Sequence, residues 1–116
     1  MNNIVPLITN DALKKSIADI NKLVLIYFWA EWCAPCRSVY PSLKKISQKF
    51  FLKIKIYKMN VDTNSILARE YRIKSIPTFL LFHKSRIIKR FIGLISEEDI
   101  SNINFQAEYI NKESIH

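Results

Sequence analysis

The sequence predicts a single α/β domain spanning residues 1–116, built on a mixed β-sheet with helices on both faces. Three observations point there. Apolar runs of strand length alternate with segments of helical periodicity. One run, residues 23–29, is apolar at every position, as a strand buried on both faces requires. A chain of 116 residues with 49% hydrophobic and 24% charged side chains has room for one domain and can bury a core without cross-links, which excludes intrinsic disorder.

The elements follow in order. Residues 4–8 are a short apolar run interrupted by Pro6, which suits an edge strand because proline cannot donate to a ladder. Over residues 11–20, Leu13, Ile17 and Ile20 recur by four and three, one face of a helix. The buried strand 23–29 comes next. Over residues 35–50, Val39, Leu43, Ile46 and Phe50 recur at helical spacing, with Arg37, Lys44, Lys45, Gln48 and Lys49 on the opposite face, the pattern of a long amphipathic helix. Residues 52–61 alternate through Ile54, Lys55 and Ile56 and turn polar at Asn60, a third strand. Residues 63–71 fit a short helix, and the apolar runs 78–82 and 87–92, joined by His83, Lys84, Ser85 and Arg86, read as a hairpin. Ser96 is placed to cap a last helix whose first turn holds Glu97, Glu98 and Asp99, acids favoured by the positive end of the helix dipole. Its apolar face runs through Ile100, Ile103, Ala107 and Ile110. The resulting order is β-α-β-α-β-α-β-β-α, about five strands and four helices.

Several function classes fall away on composition. The longest apolar run, residues 23–30, is far short of the roughly 18 residues a membrane helix needs, so no membrane partner is expected. The N-terminus lacks a basic region followed by an apolar segment and a cleavage site; the chain is expected to be soluble and cytoplasmic. A net charge of +8 and a pI near 9.6 raise nucleic acid or an anionic surface as partners. The competing explanation is compositional drift, since 19 Ile, 13 Lys and 9 Asn dominate the chain. No base-reading motif or basic tail accompanies the charge, and no nucleic-acid partner is expected.

The chain has only two cysteines, Cys33 and Cys36, separated by Ala34 and Pro35. A structural zinc site needs four ligands, and two cysteines with two histidines, one of them the terminal His116, do not easily close one. No metal is therefore expected. A purely structural disulfide between residues three apart removes little entropy from the unfolded chain. The third reading, a redox dithiol at a strand-to-helix junction, fits the context closely. Pro35 sits where proline is welcome in the first turn of the following helix. Cys33 then lies at the helix N-terminus, where unpaired N–H groups and the dipole favour a thiolate and draw a thiol pKa of about 8.5 toward neutrality. Cys36 is one turn further in. Cys33 is expected to be open to solvent and Cys36 shielded.

Residues 28–37, Phe-Trp-Ala-Glu-Trp-Cys-Ala-Pro-Cys-Arg, closely resemble the active-site segment of the thioredoxin family. The resemblance continues at Pro41, at Lys58-Met59-Asn60-Val61-Asp62, at Ile73-Lys74-Ser75-Ile76-Pro77-Thr78-Phe79, and at Gly93, and covers about residues 4–110. It implies the thioredoxin fold, with Cys33 as nucleophile and Cys36 as resolving thiol of a protein disulfide reductase. It also implies that Pro77 is a cis-proline beside Cys33. A cis X–Pro bond costs only about 1 kcal/mol, so the residue permits this; a trans Pro77 that merely starts a strand is the alternative. Trp32, Ile76, Pro77 and Gly93 would form the docking surface, with Ile76 offering its backbone to an extended substrate. Trp32 could instead be ordinary core.

The sequence departs from the family pattern chiefly at Tyr27, where thioredoxins usually carry a buried Asp that relays the proton of the second cysteine. A phenol with a reference pKa near 10 is a far weaker base at neutral pH than a buried carboxylate. Deprotonation of Cys36 is accordingly expected to be slower. Lys58, the family's partner to that Asp, loses its counter-charge and is expected to reach solvent. Ala34 replaces a usual Gly, while Pro35, which also tunes the redox potential, is kept. Ser75 and Ser85 replace glycines, the first beside the groove and the second in the hairpin turn, where a positive φ carries a small cost.

These features imply a thiol-disulfide oxidoreductase that carries electrons to disulfide-containing proteins in cell redox homeostasis. It would be recharged by a thioredoxin reductase, hold no cofactor of its own and act as a monomer. Two alternatives stay open: another thioredoxin-fold oxidase or isomerase, or a binding or holdase protein whose redox activity is weakened by Tyr27.

Overall fold

The computed structural model describes residues 4–6 and 9–102. The chain runs β1 (Ile4–Pro6), α1 (Asn10–Ile17), β2 (Leu23–Trp29), α2 (Ala34–Lys49), β3 (Ile54–Asn60), α3 (Ser65–Glu70), β4 (Thr78–His83), β5 (Arg86–Ile92) and α4 (Glu97–Ser101), in the order expected from the sequence. The strands form a five-stranded sheet in the order β1-β3-β2-β4-β5. β1, β3 and β2 are parallel, β4 runs antiparallel to β2, and β5 antiparallel to β4. Among the described residues no helix is long and apolar enough to cross a membrane.

The unbroken apolar run of β2 makes it the central strand, because its two faces enter two different cores. Leu23, Leu25 and Tyr27 pack with Leu43 and Ile46 of α2 and Ile100 of α4. Val24, Ile26 and Phe28 pack with Leu13 and Ile17 of α1 and Leu67 of α3. A slip of one residue would exchange these sets, so the register is strongly specified. Each fully buried aliphatic side chain contributes about 1.5–3 kcal/mol. On that scale Val39, Leu43 and Ile46 are what fasten α2, and the active-site loop before it, to the sheet.

Local polar groups move several element ends from their expected places. α1 stops at Ile17 because Asp19 Oδ1 accepts hydrogen bonds from the backbone N–H of Asn21 at 2.7 Å and of Lys22 at 3.1 Å. Ile20, expected on the helical face, is outside the helix and 68% exposed. β3 begins at Ile54 since Lys53 N–H and Ile54 N–H both donate to Phe50 O in a turn. α3 starts only at Ser65 because Asn60 Oδ1 receives the N–H of Asp62 and of Thr63. The hairpin loop is two residues, Lys84 and Ser85, and His83 closes β4 opposite Arg86 instead of lying in the loop.

Lys84 and Ser85 have φ of 50° and 68°, the pattern of a type I′ turn, so the absent glycine is replaced by two strained residues. Ser85 N–H donates to Ile17 O at 2.8 Å and ties the hairpin to the end of α1. At α4, Ser96 Oγ accepts from Asp99 N–H at 3.1 Å and Asp99 Oδ2 accepts from Ser96 N–H at 2.8 Å, a reciprocal cap. Ile100 of that helix is fully buried, whereas Ile103, Ala107 and Ile110 lie outside the described residues.

Two stability measurements check this reading. Ser85→Gly relieves the left-handed strain and raises the free energy of unfolding in urea by about 1 kcal/mol. Ser96→Ala leaves the first turn of α4 uncapped and lowers it by about 1 kcal/mol.

Candidate active site

The site lies where β2 ends and α2 begins. Cys33 is the N-cap residue of α2 in extended conformation, Ala34 and Pro35 form the start of the helix, and Cys36 is buried in its first turn. The helix continues through Pro41 to Lys49. Cys33 N–H donates to Ala30 O at 3.2 Å, which folds the loop back on the strand end. Cys33 and Cys36 are joined in a disulfide with their Cα atoms 5.3 Å apart. The N–H of Cys36 points at Cys33 Sγ, 3.2 Å away, and the first turn contains no acidic residue. The positive end of the helix dipole is therefore directed at one sulfur and neutralised by nothing in its own turn.

Cys33 is 3% exposed and Cys36 1%, so the expected contrast between an open and a shielded cysteine is corrected. With its sulfur bonded to Cys36 and 3.7 Å from Ile76 O, Cys33 is turned inward under the neighbouring loop. Trp32 is 68% exposed, which removes the core alternative for that residue. Its indole N–H donates to Asp62 Oδ2 at 2.9 Å, fixing the ring against the β3–α3 turn. Ile76–Pro77 is a cis peptide. Pro77 is buried, Ile76 half-buried, and Pro77 O accepts from Gly93 N–H at 2.9 Å. Gly93 has φ +90°, a conformation that only glycine adopts without strain. The structure thus brings Ile76, Pro77 and Gly93 into one chain of contacts with Cys33. Ile92 and Leu94, exposed on either side of Gly93, were absent from the sequence-derived docking set. Arg37 donates to the backbone carbonyl of Glu31, and Asp62 carries a negative charge on the partner of Trp32, so the charge near Cys33 is mixed.

Beneath Cys36 the sheet supplies Tyr27. The register sets Tyr27 opposite Lys58 on β3 and opposite Phe79 on β4, and its ring stacks on Phe79 with centroids 5.1 Å apart. Its hydroxyl donates to the backbone carbonyl of Cys36 at 2.6 Å. Burial, with a smaller contribution from Tyr40, pushes the Tyr27 pKa from 10.0 up to about 12. Tyr27 is thus a hydrogen-bond donor to the helix and not a base for the thiol at neutral pH. Lys58, expected to reach solvent, is half-buried. Its ammonium lies 5.1 Å from the Trp29 ring centroid and 5.9 Å from that of Tyr40, held by cation–π attraction in place of a carboxylate. Tyr27, Trp29, Cys36, Arg37, Tyr40 and Lys58 together line a cavity of about 300 Å³. Tyr40 was missed by the sequence reading, and Trp29 and Arg37 were read there only as part of the active-site segment; the only signal for Tyr40 was its place one helical turn after Cys36.

The raised pKa of Tyr27 has a direct consequence for stability. The unfolded chain releases this proton near pH 10 and the folded one near 12, so the contribution is complete below pH 10 and is lost as pH rises from 10 to about 12. Tyr71, also raised by burial, acts in the same sense. Unfolding followed across pH 9–12 should show this alkaline loss in wild type and a smaller one in Tyr27→Phe.

Comparisons with known proteins agree with this geometry. The family model described as Thioredoxin matches residues 4–105. The chain is 40% identical to thioredoxin of Buchnera aphidicola subsp. Schizaphis graminum over 97 residues, which cover 84% of this chain and 89% of that protein. It is 36% identical to thioredoxin of Rickettsia felis over 105 residues, 90% of this chain and 94% of the other. Among solved structures, a thioredoxin from Malassezia sympodialis superimposes with a TM-score of 0.77 at 30% identity, covering 87% of this chain and 88% of that one. One from Nicotiana alata superimposes with a TM-score of 0.79 at 27% identity, covering 88% and 90%. With this fold, these relatives and a Cys33–Cys36 pair at disulfide distance, the chain belongs to the thioredoxin family and is a thiol-disulfide oxidoreductase of the thioredoxin type.

Proposed function

We propose that Cys33 attacks substrate disulfides and Cys36 resolves the mixed disulfide, reducing disulfide-containing proteins in the cytoplasm. The observation that carries this assignment is the N-cap geometry: the Cys36 N–H directed at Cys33 Sγ stabilises a thiolate on Cys33. The Cys33 thiolate attacks one substrate sulfur and expels the other as a thiolate, forming a mixed disulfide. Cys36 loses its proton and attacks Cys33 Sγ; the substrate sulfur held in the mixed disulfide leaves as a thiolate, and Cys33–Cys36 is left oxidised. A thioredoxin reductase then returns two electrons to the pair, making the chain an electron carrier in cell redox homeostasis. Ala34 and Pro35 tune the potential by shaping the first turn.

Substrate docks on Trp32, Ile76, Pro77 and Gly93, extended by Ile92 and Leu94. The exposed Trp32 ring supplies apolar area, and Ile76 and Gly93 supply backbone to an extended segment. The protein acts as a monomer. A binding role with a vestigial dithiol is a second reading, favoured by one observation: Tyr27 gives its hydroxyl proton to a carbonyl and does not act as a base.

Cysteine variants separate these readings. Cys33→Ser abolishes disulfide reduction, and Cys36→Ser accumulates a covalent complex with substrate through Cys33. A binding role predicts unchanged function in both, which would overturn the assignment. Tyr27→Asp restores a carboxylate beneath Cys36 and should speed decay of the mixed disulfide by about tenfold or more. It should also cost about 3 kcal/mol of stability through the lost core volume. A folded Tyr27→Asp variant that resolves no faster than wild type refutes a base-limited second step.

A further inference from the structure

The cavity beneath Cys36 has a wall composition that the reaction does not explain. Tyr27, Trp29 and Tyr40 form its apolar sides, Lys58 and Arg37 also line it, and among the described residues the lining contains no carboxylate. Lys58 is half-buried, and its ammonium lies over the faces of the Trp29 and Tyr40 rings. An ammonium at an apolar surface gains most from an anion, since attraction strengthens as water is excluded. The second step of the cycle meanwhile needs a proton acceptor at Cys36, one wall of the same cavity. The resident groups do not provide it. Tyr27 donates its own proton to Cys36 O and is neutral to about pH 12, Tyr40 is a second phenol, and Lys58 and Arg37 are cations.

We propose that this cavity binds a small carboxylate with a short apolar body, paired with Lys58, which serves as an exchangeable base for Cys36. The inference rests on Cys36 being the resolving thiol. Its chemistry is complementary: Lys58 draws the anion in and the rings accept its hydrocarbon part, while loss of water raises its proton affinity against the opposing pull of the ammonium. In the mixed disulfide the carboxylate takes the Cys36 thiol proton. The sulfur electron pair attacks Cys33 Sγ, the bond from Cys33 to the substrate sulfur breaks, and that sulfur departs as a thiolate. The carboxylic acid then gives its proton to the departing thiolate or to solvent. No electrons beyond those of the established exchange are needed. A volume of about 300 Å³ admits an anion of a few carbon atoms.

The probe is propionate, exchanged for chloride at constant ionic strength and pH 7. Reduced protein is mixed with a peptide disulfide in a single turnover, and decay of the mixed disulfide is followed. The decay rate should rise saturably, by about tenfold, as expected for a positioned base. The rise should disappear in Lys58→Gln and persist in Lys58→Arg. The Trp29 indole resonance of the oxidised protein should shift over the same propionate range. Equal rates in propionate and chloride overturn the proposal, as does a linear rise of the same size in Lys58→Gln, which is bulk buffer catalysis. A Trp29 shift without acceleration overturns the base role. Failure of Cys36→Ser to trap substrate on Cys33 would instead refute the assignment of the two cysteines, whatever propionate does.

Discussion

The double-sided burial of β2 is the constraint on which the molecule depends. Every side chain from Leu23 to Phe28 is buried, and the two alternating sets lie in separate cores, so the strand has a single workable register. That register fixes three things at once. It sets Tyr27 between Lys58 and Phe79, it ends the strand at Trp29 beside the cavity, and it delivers the loop that makes Cys33 the cap of α2. The chemistry at the sulfur is thus a consequence of packing far larger in energy than any single contact at the site.

Around the cysteines, the electrostatics divide the labour between two faces of α2's first turn. Toward the loop, a backbone N–H and an uncompensated dipole favour negative charge on Cys33. Toward the sheet, the Cys36 carbonyl is already occupied by the Tyr27 hydroxyl, and the Lys58 ammonium rests on aromatic rings. A buried phenol costs less than a buried carboxylate when its single donor is satisfied, as it is here. The arrangement favours a firm scaffold under the disulfide at the expense of a built-in base. This is the point at which the chain parts from the pattern of its family.

Much of this was legible in the sequence, for physical reasons that differ by element. β2 and the amphipathic face of α2 could be read because burial on two faces or one dictates residue type at each position. The Cys33 cap could be read from the end of β2 and from Pro35 in the first helical turn, whereas the cis Ile76–Pro77 peptide followed from a motif resemblance rather than from periodicity. The ends of α1, β3 and α3 were not legible, since they depend on where Asp19 Oδ1, Phe50 O and Asn60 Oδ1 find backbone donors. The direction of the Tyr27 hydroxyl and the resting place of Lys58 depend on how α2 lies across β2 and β3, a tertiary fact carried by no local pattern. Cys33 was expected to be open because a nucleophile must be reached; in the disulfide its sulfur instead faces Cys36 and Ile76 O.

The central claim is that the dithiol is a reductant, and its equilibrium potential tests this most directly. Titration of the Cys33–Cys36 pair against a dithiol buffer should give a midpoint below the cytosolic glutathione poise, roughly −240 mV. A pair that reducing gives up electrons to protein disulfides, with Tyr27 affecting only the rate. A midpoint well above that poise, at about −180 mV or higher, would mean that the pair donates disulfides, and the account of the molecule as a reductase would be wrong.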